Sequence, residues 1–316
     1  MSSTPALAFA TPAGAPRWKR WLVYCALARI AIFCIVAALF LAAMMWLLNR
    51  WAPELRQLGG TLAPWRFAIQ VVGTTAAYLF LVRVVERRRP VELLASSPLQ
   101  GVGAFAAGAL GGAGLIALTV GLLWLAGSYR VLGVNASFPW WAPFLTLGLA
   151  AAVAEEIVFR GVLFRVVEEG AGTWWALGGS ALFFGGMHIG NPGATLWSSA
   201  AIAIEAGLML GLAYHVTRSL PLCIGLHLGW NFTQGTVFGI PVSGADQKGW
   251  LVSERVGPDW LSGGAFGAEA SVLAVAVCSV LTAALLLHAL RHKTIVPPRL
   301  RRAPIMQSRP SAESSC

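Results

Sequence analysis

In AEEIVFRGVLF, residues 154 to 164, two glutamates and an arginine interrupt a run that is otherwise apolar enough to lie in a bilayer. A charge at the middle of a membrane costs roughly 2.5 to 3.5 kcal/mol on insertion scales, so three in two helical turns call for a reason. Glu156 and Arg160 are four residues apart and share a helix face, whereas Glu155 points about 100° away. The spacing makes Arg160 the partner of Glu156 and leaves Glu155 free to act.

The rest of the chain supplies the membrane. Hydrophobic residues make up 57% of it and charged ones 11%, with a mean hydropathy of +0.69, far from the soluble norm. Runs of about 20 apolar residues recur near 21–48, 67–85, 101–126, 140–167, 174–189, 195–217, 220–240 and 268–290. The expected fold is all-α: a polytopic bundle of about eight transmembrane helices with an intramembrane catalytic cavity. Residues 1–16, small and Pro-rich, read as a disordered cytoplasmic tail with no cleavable leader. Residues 17–293 read as one helical membrane domain, and 294–316 as a basic cytoplasmic tail.

Orientation follows from the basic residues, because short cytoplasmic loops are enriched in them. With the N-terminus inside, only Arg50, Arg56, Arg66, Arg130, Lys248 and Arg255 of the 23 Lys and Arg fall on the far side, and Arg29 and Arg160 lie within spans. Both termini are therefore expected in the cytoplasm. The net charge of +10 is then an orientation signal and needs no nucleic acid. The polar segment 241–267 becomes an extracytoplasmic loop, and the glycines of GVGAFAAGALGGAG (101–114) suggest close helix packing. Five scattered cysteines without a CxxC imply neither a disulfide framework nor a thiolate metal site. Cys223, four residues before His227, reads as a packing residue.

Two further polar pairs follow the acidic stretch. FFGGMH places Phe184 one turn before His188, and HLGWN places His227 one turn before Asn231. At 1.5 Å per residue from the cytoplasmic ends, Glu155 lies about 18 Å deep, His188 about 21 Å, His227 about 12 Å and Asn231 about 18 Å. One slab of a core about 30 Å thick can hold all four. Such a set allows hydrolysis in two ways. A carboxylate can act as general base toward water while histidine and asparagine stabilise an oxyanion. Alternatively, Glu155, His188 and His227 can ligate a zinc-like ion whose bound water attacks. Glu205, alone in mid-span, marks a partner such as Arg29 or an intramembrane histidine, or else a role in substrate or proton handling. Tyr214 and His215, near a span end, read as interface residues.

EExxxR (Glu155, Glu156, Arg160), FxxxH (Phe184, His188) and HxxxN (His227, Asn231), in this order on successive spans, resemble the three motifs of the CPBP family. That family comprises CAAX prenyl proteases and bacteriocin-processing enzymes and is also called Abi. GLMLGLAYHVTRSLPLCIGLHLGWNF (207–232) is similar to the family's run into its third motif, and the likeness covers about 140–235. It implies an intramembrane endopeptidase in which Glu155 and His188 activate water while His227 and Asn231 hold the oxyanion. Glu156, Arg160 and Phe184 then support the site, and the metal-dependent and metal-free mechanisms both stay open. The implied substrate is a peptide or protein, membrane-inserted or lipidated. The Ala-, Gly- and Arg-rich composition points to a bacterial inner membrane. A non-catalytic immunity or scaffold protein on the same fold, and an ion-coupled transporter, are the competing readings; the four intact motif residues weigh against the first, and the lack of an internal repeat against the second.

Overall fold

Each of the eight apolar stretches is helical in the computed structural model, which describes residues 7–56, 64–94, 97–246 and 248–299. Among the described residues six helices are long and apolar enough to cross a membrane: α1 (Ala26–Trp51), α2 (Trp65–Val85), α3 (Pro98–Leu125), α4 (Trp141–Ala171), α6 (Leu196–Thr217) and α8 (Val272–Arg291). The other two are shorter. α5 (Thr173–Met187) ends in a 3-10 turn at His188–Gly190, and α7 (Leu220–Phe232) continues as a π turn at Thr233–Val237. They carry the second and third motifs. Ser97 and Ser219 cap α3 and α7 with their hydroxyls, each with a proline in the first turn.

The chain is an all-α integral membrane protein with one addition. A two-stranded antiparallel ribbon, β1 (Tyr129–Val134) and β2 (Leu251–Arg255), joins the segment after α3 to the polar insertion, with a register break between Val131 and Gly133. Of the expected tails, residues 1–6 and 300–316 lie outside the described residues. Phe9 stacks on Tyr24 with ring centroids 5.8 Å apart, and Val296 is buried, its N–H donating to Thr173 Oγ1 at 2.9 Å.

The packing that places the site is backbone on backbone. A Cβ on Gly108 or Gly112 of α3 would lie 2.2 Å from Leu222 O or 2.0 Å from Leu226 O of α7. In return, a Cβ on Gly225 or Gly229 of α7 would lie 2.1 Å from Phe105 O or 2.0 Å from Ala109 O. Two i, i+4 glycine pairs thus interlock, because in lipid close van der Waals contact replaces the hydrophobic effect between helices. Within the glycine-rich run Gly108 and Gly112 are used this way, whereas Gly103, Gly111 and Gly114 face open space.

At one end of the bundle, buried charges tie four elements together. Arg29 of α1 meets Glu86 at 2.9 Å and Glu169 at 2.6 Å, and Arg165 of α4 meets Glu86 at 2.9 Å and Glu169 at 3.2 Å. Arg88 clamps Glu86 and Glu92 at 2.7 and 2.6 Å. Burial pushes the Glu86 carboxyl up, but Arg165, Arg88 and Arg29 outweigh it and hold it below its ordinary value. Arg29 is therefore not the partner of Glu205. The expectation for Tyr214 and His215 is also corrected: both are buried, and His215 Nδ1 lies 2.6 Å from Glu168. The tight turn that Arg218 makes in the left-handed region after α6 brings its guanidinium back onto that same carboxylate.

Candidate functional site

Glu155 and Glu156 stand where α4 changes from α to π winding, the π turn running over Ile157–Phe164. A second π turn, Ala203–Leu208 of α6, holds Glu205, and a third follows Asn231. Such turns recur at functional sites. Arg160 reaches one of them. Its Nη1 donates to Glu156 Oε1 at 2.8 Å, while Nη2 donates to Ala206 O at 2.6 Å on α6. The Phe184 ring lies 4.8 Å from the guanidinium carbon and 4.7 Å from the Phe159 ring centroid. Phe184 is thus a cation–π platform for the buried arginine.

The pairing of Arg160 with Glu156 stands as the helical spacing indicated, but Glu156 does more. The same Oε1 lies 2.9 Å from His227 Nδ1. A carboxylate paired with arginine can only accept, so Nδ1 is the donor and the ring is fixed in orientation. Nε2 is turned toward Glu155, whose Oε2 is 4.0 Å away. Glu155 itself is 31% exposed, unlike the fully buried Glu156. His188 Nδ1 donates to Phe184 O at 2.7 Å, which leaves Nε2 as its nitrogen free to meet a reactant. Asn231 donates one amide hydrogen to Leu147 O at 3.4 Å and keeps the other.

A cavity of about 40 Å³ joins these groups. Phe184, His188, His227 and Asn231 line it together, and so do Glu205 and Glu269. Glu155 is not part of this lining and is reached through His227. Among the described residues no three His, Cys, Asp or Glu side chains come together as a ligand sphere, so Glu155, His188 and His227 are not gathered around one point. Each histidine directs Nδ1 to an acceptor, Glu156 and Phe184 O, which leaves Nε2 as the nitrogen that would ligate.

Glu269 and the loop that holds it escaped the sequence reading. Residues 241–246 fold onto the turn after His188: Asn191 Nδ2 donates to Ser243 O at 2.9 Å, and Gly244 N donates to Phe266 O at 2.7 Å. Gly244, at φ +82, presses so closely on Pro192 O that a Cβ would lie 1.9 Å from it. Ser243 donates to Glu269 Oε2 through its N–H at 2.6 Å and its hydroxyl at 3.2 Å. The polar insertion therefore closes one end of the site. Its only sequence signal was a lone acid at the start of the last apolar run, 268–290, which the structure places just outside the helix Val272–Arg291.

Residues 137–233 match the Rce1-like family, described as type II CAAX prenyl endopeptidase Rce1-like. The matched segment contains all three motifs and supports the CPBP and CAAX-protease resemblance read from them. At the level of the family the likeness is to a CAAX-type intramembrane endopeptidase, acting on a peptide or protein substrate in the membrane. No curated protein matches the chain.

Proposed function

We propose that the chain is an intramembrane endopeptidase in which Glu155 is the general base. The observation that carries this is the 4.0 Å separation between Glu155 Oε2 and His227 Nε2, a gap one water can bridge. In the proposed reaction Glu155 takes a proton from water as the oxygen adds to the scissile carbonyl carbon, with His188 Nε2 orienting that water. The oxyanion accepts hydrogen bonds from Nε2–H of doubly protonated His227 and from the free amide hydrogen of Asn231. Collapse breaks the C–N bond, and the proton held by Glu155 passes to the leaving amine. Atoms and charge balance with water as the sole co-reactant.

The alternative of a zinc-like ion would require Glu155, His188 and His227 to draw together, and no step here uses one. The asymmetry of Lys and Arg supports both termini in the cytoplasm, and the composition supports a bacterial inner membrane. The substrate is read as a membrane-inserted or lipidated peptide, with surrounding lipid as the other partner and no role for nucleic acid.

The test is cleavage of a peptide library by purified protein in detergent, with Glu155→Gln as the comparison. Wild type is expected to cut, and the variant to lose activity while unfolding at the same temperature. Equal turnover by the variant would remove Glu155 as the base. Chelator treatment and metal analysis run in parallel: activity is expected to survive chelation, and stoichiometric zinc lost together with activity would overturn the metal-free course.

A further inference from the structure

The motif residues form only part of the cavity wall. Glu205, on the π turn of α6, and Glu269, just before α8, complete it, and both are only 3% exposed. Their environments differ from that of every other buried acid described above. Glu86, Glu92, Glu156, Glu168 and Glu169 each meet an arginine within 3.5 Å. Glu205 has one carboxylate oxygen, Oε1, buried without any hydrogen-bond partner. Glu269 is held through Oε2 by Ser243, with the Gln234 side chain also hydrogen-bonding to it, and no arginine or lysine forms an ion pair with it among the described residues. Arg29, the cation the sequence offered to Glu205, is consumed by Glu86 and Glu169. His227, which carries a charge in the proposed reaction and shares the cavity, commits its Nδ1 to Glu156 and makes no ion pair within 4 Å with Glu205 or Glu269 among the described residues.

Two buried acids facing one cavity repel each other when ionised, and an unpaired buried charge costs several kcal/mol. A cation entering between them would relieve both costs. The room limits which cation fits. A single water takes about 10 to 15 Å³ of such volume, so about 40 Å³ admits a few water-sized groups. A primary ammonium is compact and carries three donors, whereas a guanidinium is a broad planar fork.

We propose that Glu205 and Glu269 form a recognition subsite for a primary ammonium group of the substrate, either a lysine tip or a free N-terminus, beside the hydrolytic residues. The subsite selects the peptide by charge: it admits an amine and repels a carboxylate. Ser243, by fixing Oε2 of Glu269, makes the loop 241–246 the positioning element for this wall. The carrier of the amine rests on the protease reading; the binding of the ammonium itself does not.

The test uses the full chain in detergent, with ethylammonium chloride as probe and tetramethylammonium chloride as a size control. Thermal unfolding is followed against concentration for wild type, Glu205→Gln, Glu269→Gln and Glu155→Gln. Ethylammonium is expected to stabilise wild type and Glu155→Gln saturably, tetramethylammonium is not, and either glutamine at the subsite is expected to weaken binding about tenfold or more. Absence of a saturable effect in wild type, or binding by Glu205→Gln and Glu269→Gln as tight as by wild type, overturns the proposal. N-acetylated peptides with one lysine and lysine-free peptides with a free N-terminus then separate the two carriers. Cleavage indifferent to both amines sinks the subsite and leaves the protease reading intact. Ethylammonium binding without cleavage of any peptide does the reverse.

Discussion

His227 Nδ1 lies 2.9 Å from Glu156 Oε1, the same carboxylate oxygen that Arg160 Nη1 reaches at 2.8 Å. One acid on α4 thereby fixes both the arginine beneath the site and the imidazole across it. Glu156→Gln keeps the shape but weakens the acceptor and can present an amide N–H to Nδ1. Turnover is expected to fall about 10- to 100-fold, the usual cost of losing a partner that orients a site histidine, with KM little changed. Steady-state kinetics decide it; a rise in KM at constant turnover would mean that Glu156 serves binding instead.

Arg160→Ala removes the cation from a buried pair and vacates the donor to Ala206 O. Stranding one member of a buried pair costs about 3 to 5 kcal/mol, so a large drop in thermal stability is expected. Glu156→Gln with Arg160→Met should recover much of it, since no charge is left unpaired. If Arg160→Ala unfolded at the wild-type temperature, the pair would not be a structural support.

Gly112→Ala places a Cβ about 2.0 Å from Leu226 O and must push α3 away from α7, whereas Gly103→Ala enters open space. The first is expected to cost about 1 to 3 kcal/mol and to reduce cleavage by displacing His227. The second should stay within about 0.5 kcal/mol. Thermal unfolding of both variants in one detergent makes the comparison, and equal effects would mean that the glycine contact does not hold α7 in place.

Glu269, outside the spans, has its carboxyl pushed up to about 7 by burial, with the hydrogen bonds from Ser243 and the nearby His227 only partly offsetting this. An acid raised in the folded state stabilises it fully below its unfolded value near 4.5, and that stabilisation is lost as pH rises through about 7. The melting temperature should therefore carry a decline between about pH 5 and 8 that Glu269→Gln flattens. Glu205 faces the same cavity and adds to the repulsion on the alkaline side. A wild-type profile identical to that of Glu269→Gln would refute the assignment.

Much of this was legible before any coordinates. Apolar runs near the thickness of a bilayer can persist in no other fold, because unpaired backbone groups are too costly in lipid, so the helices and their order follow from local sequence. The i, i+4 spacing of Glu156 and Arg160 fixed their pairing for the same local reason. Likewise, the three motifs marked His188, His227 and Asn231, which the cavity gathers.

What the sequence could not supply were relations between elements distant along the chain. That His227 shares the carboxylate of Glu156 depends on the glycine contact that sets α7 against α3, and no local pattern encodes the resulting rotation. Arg29 could be matched to Glu205 by charge alone, yet packing delivered it to Glu86 and Glu169. The insertion 241–267 reads from its polar composition as an extracytoplasmic loop, and that composition does not show that its glycines at positive φ fold it onto the site, where Ser243 holds Glu269. Local chemistry thus determined which residues bear charge inside the membrane, and only the tertiary contacts decided which charges would be neutralised by arginine and which left open to a cavity.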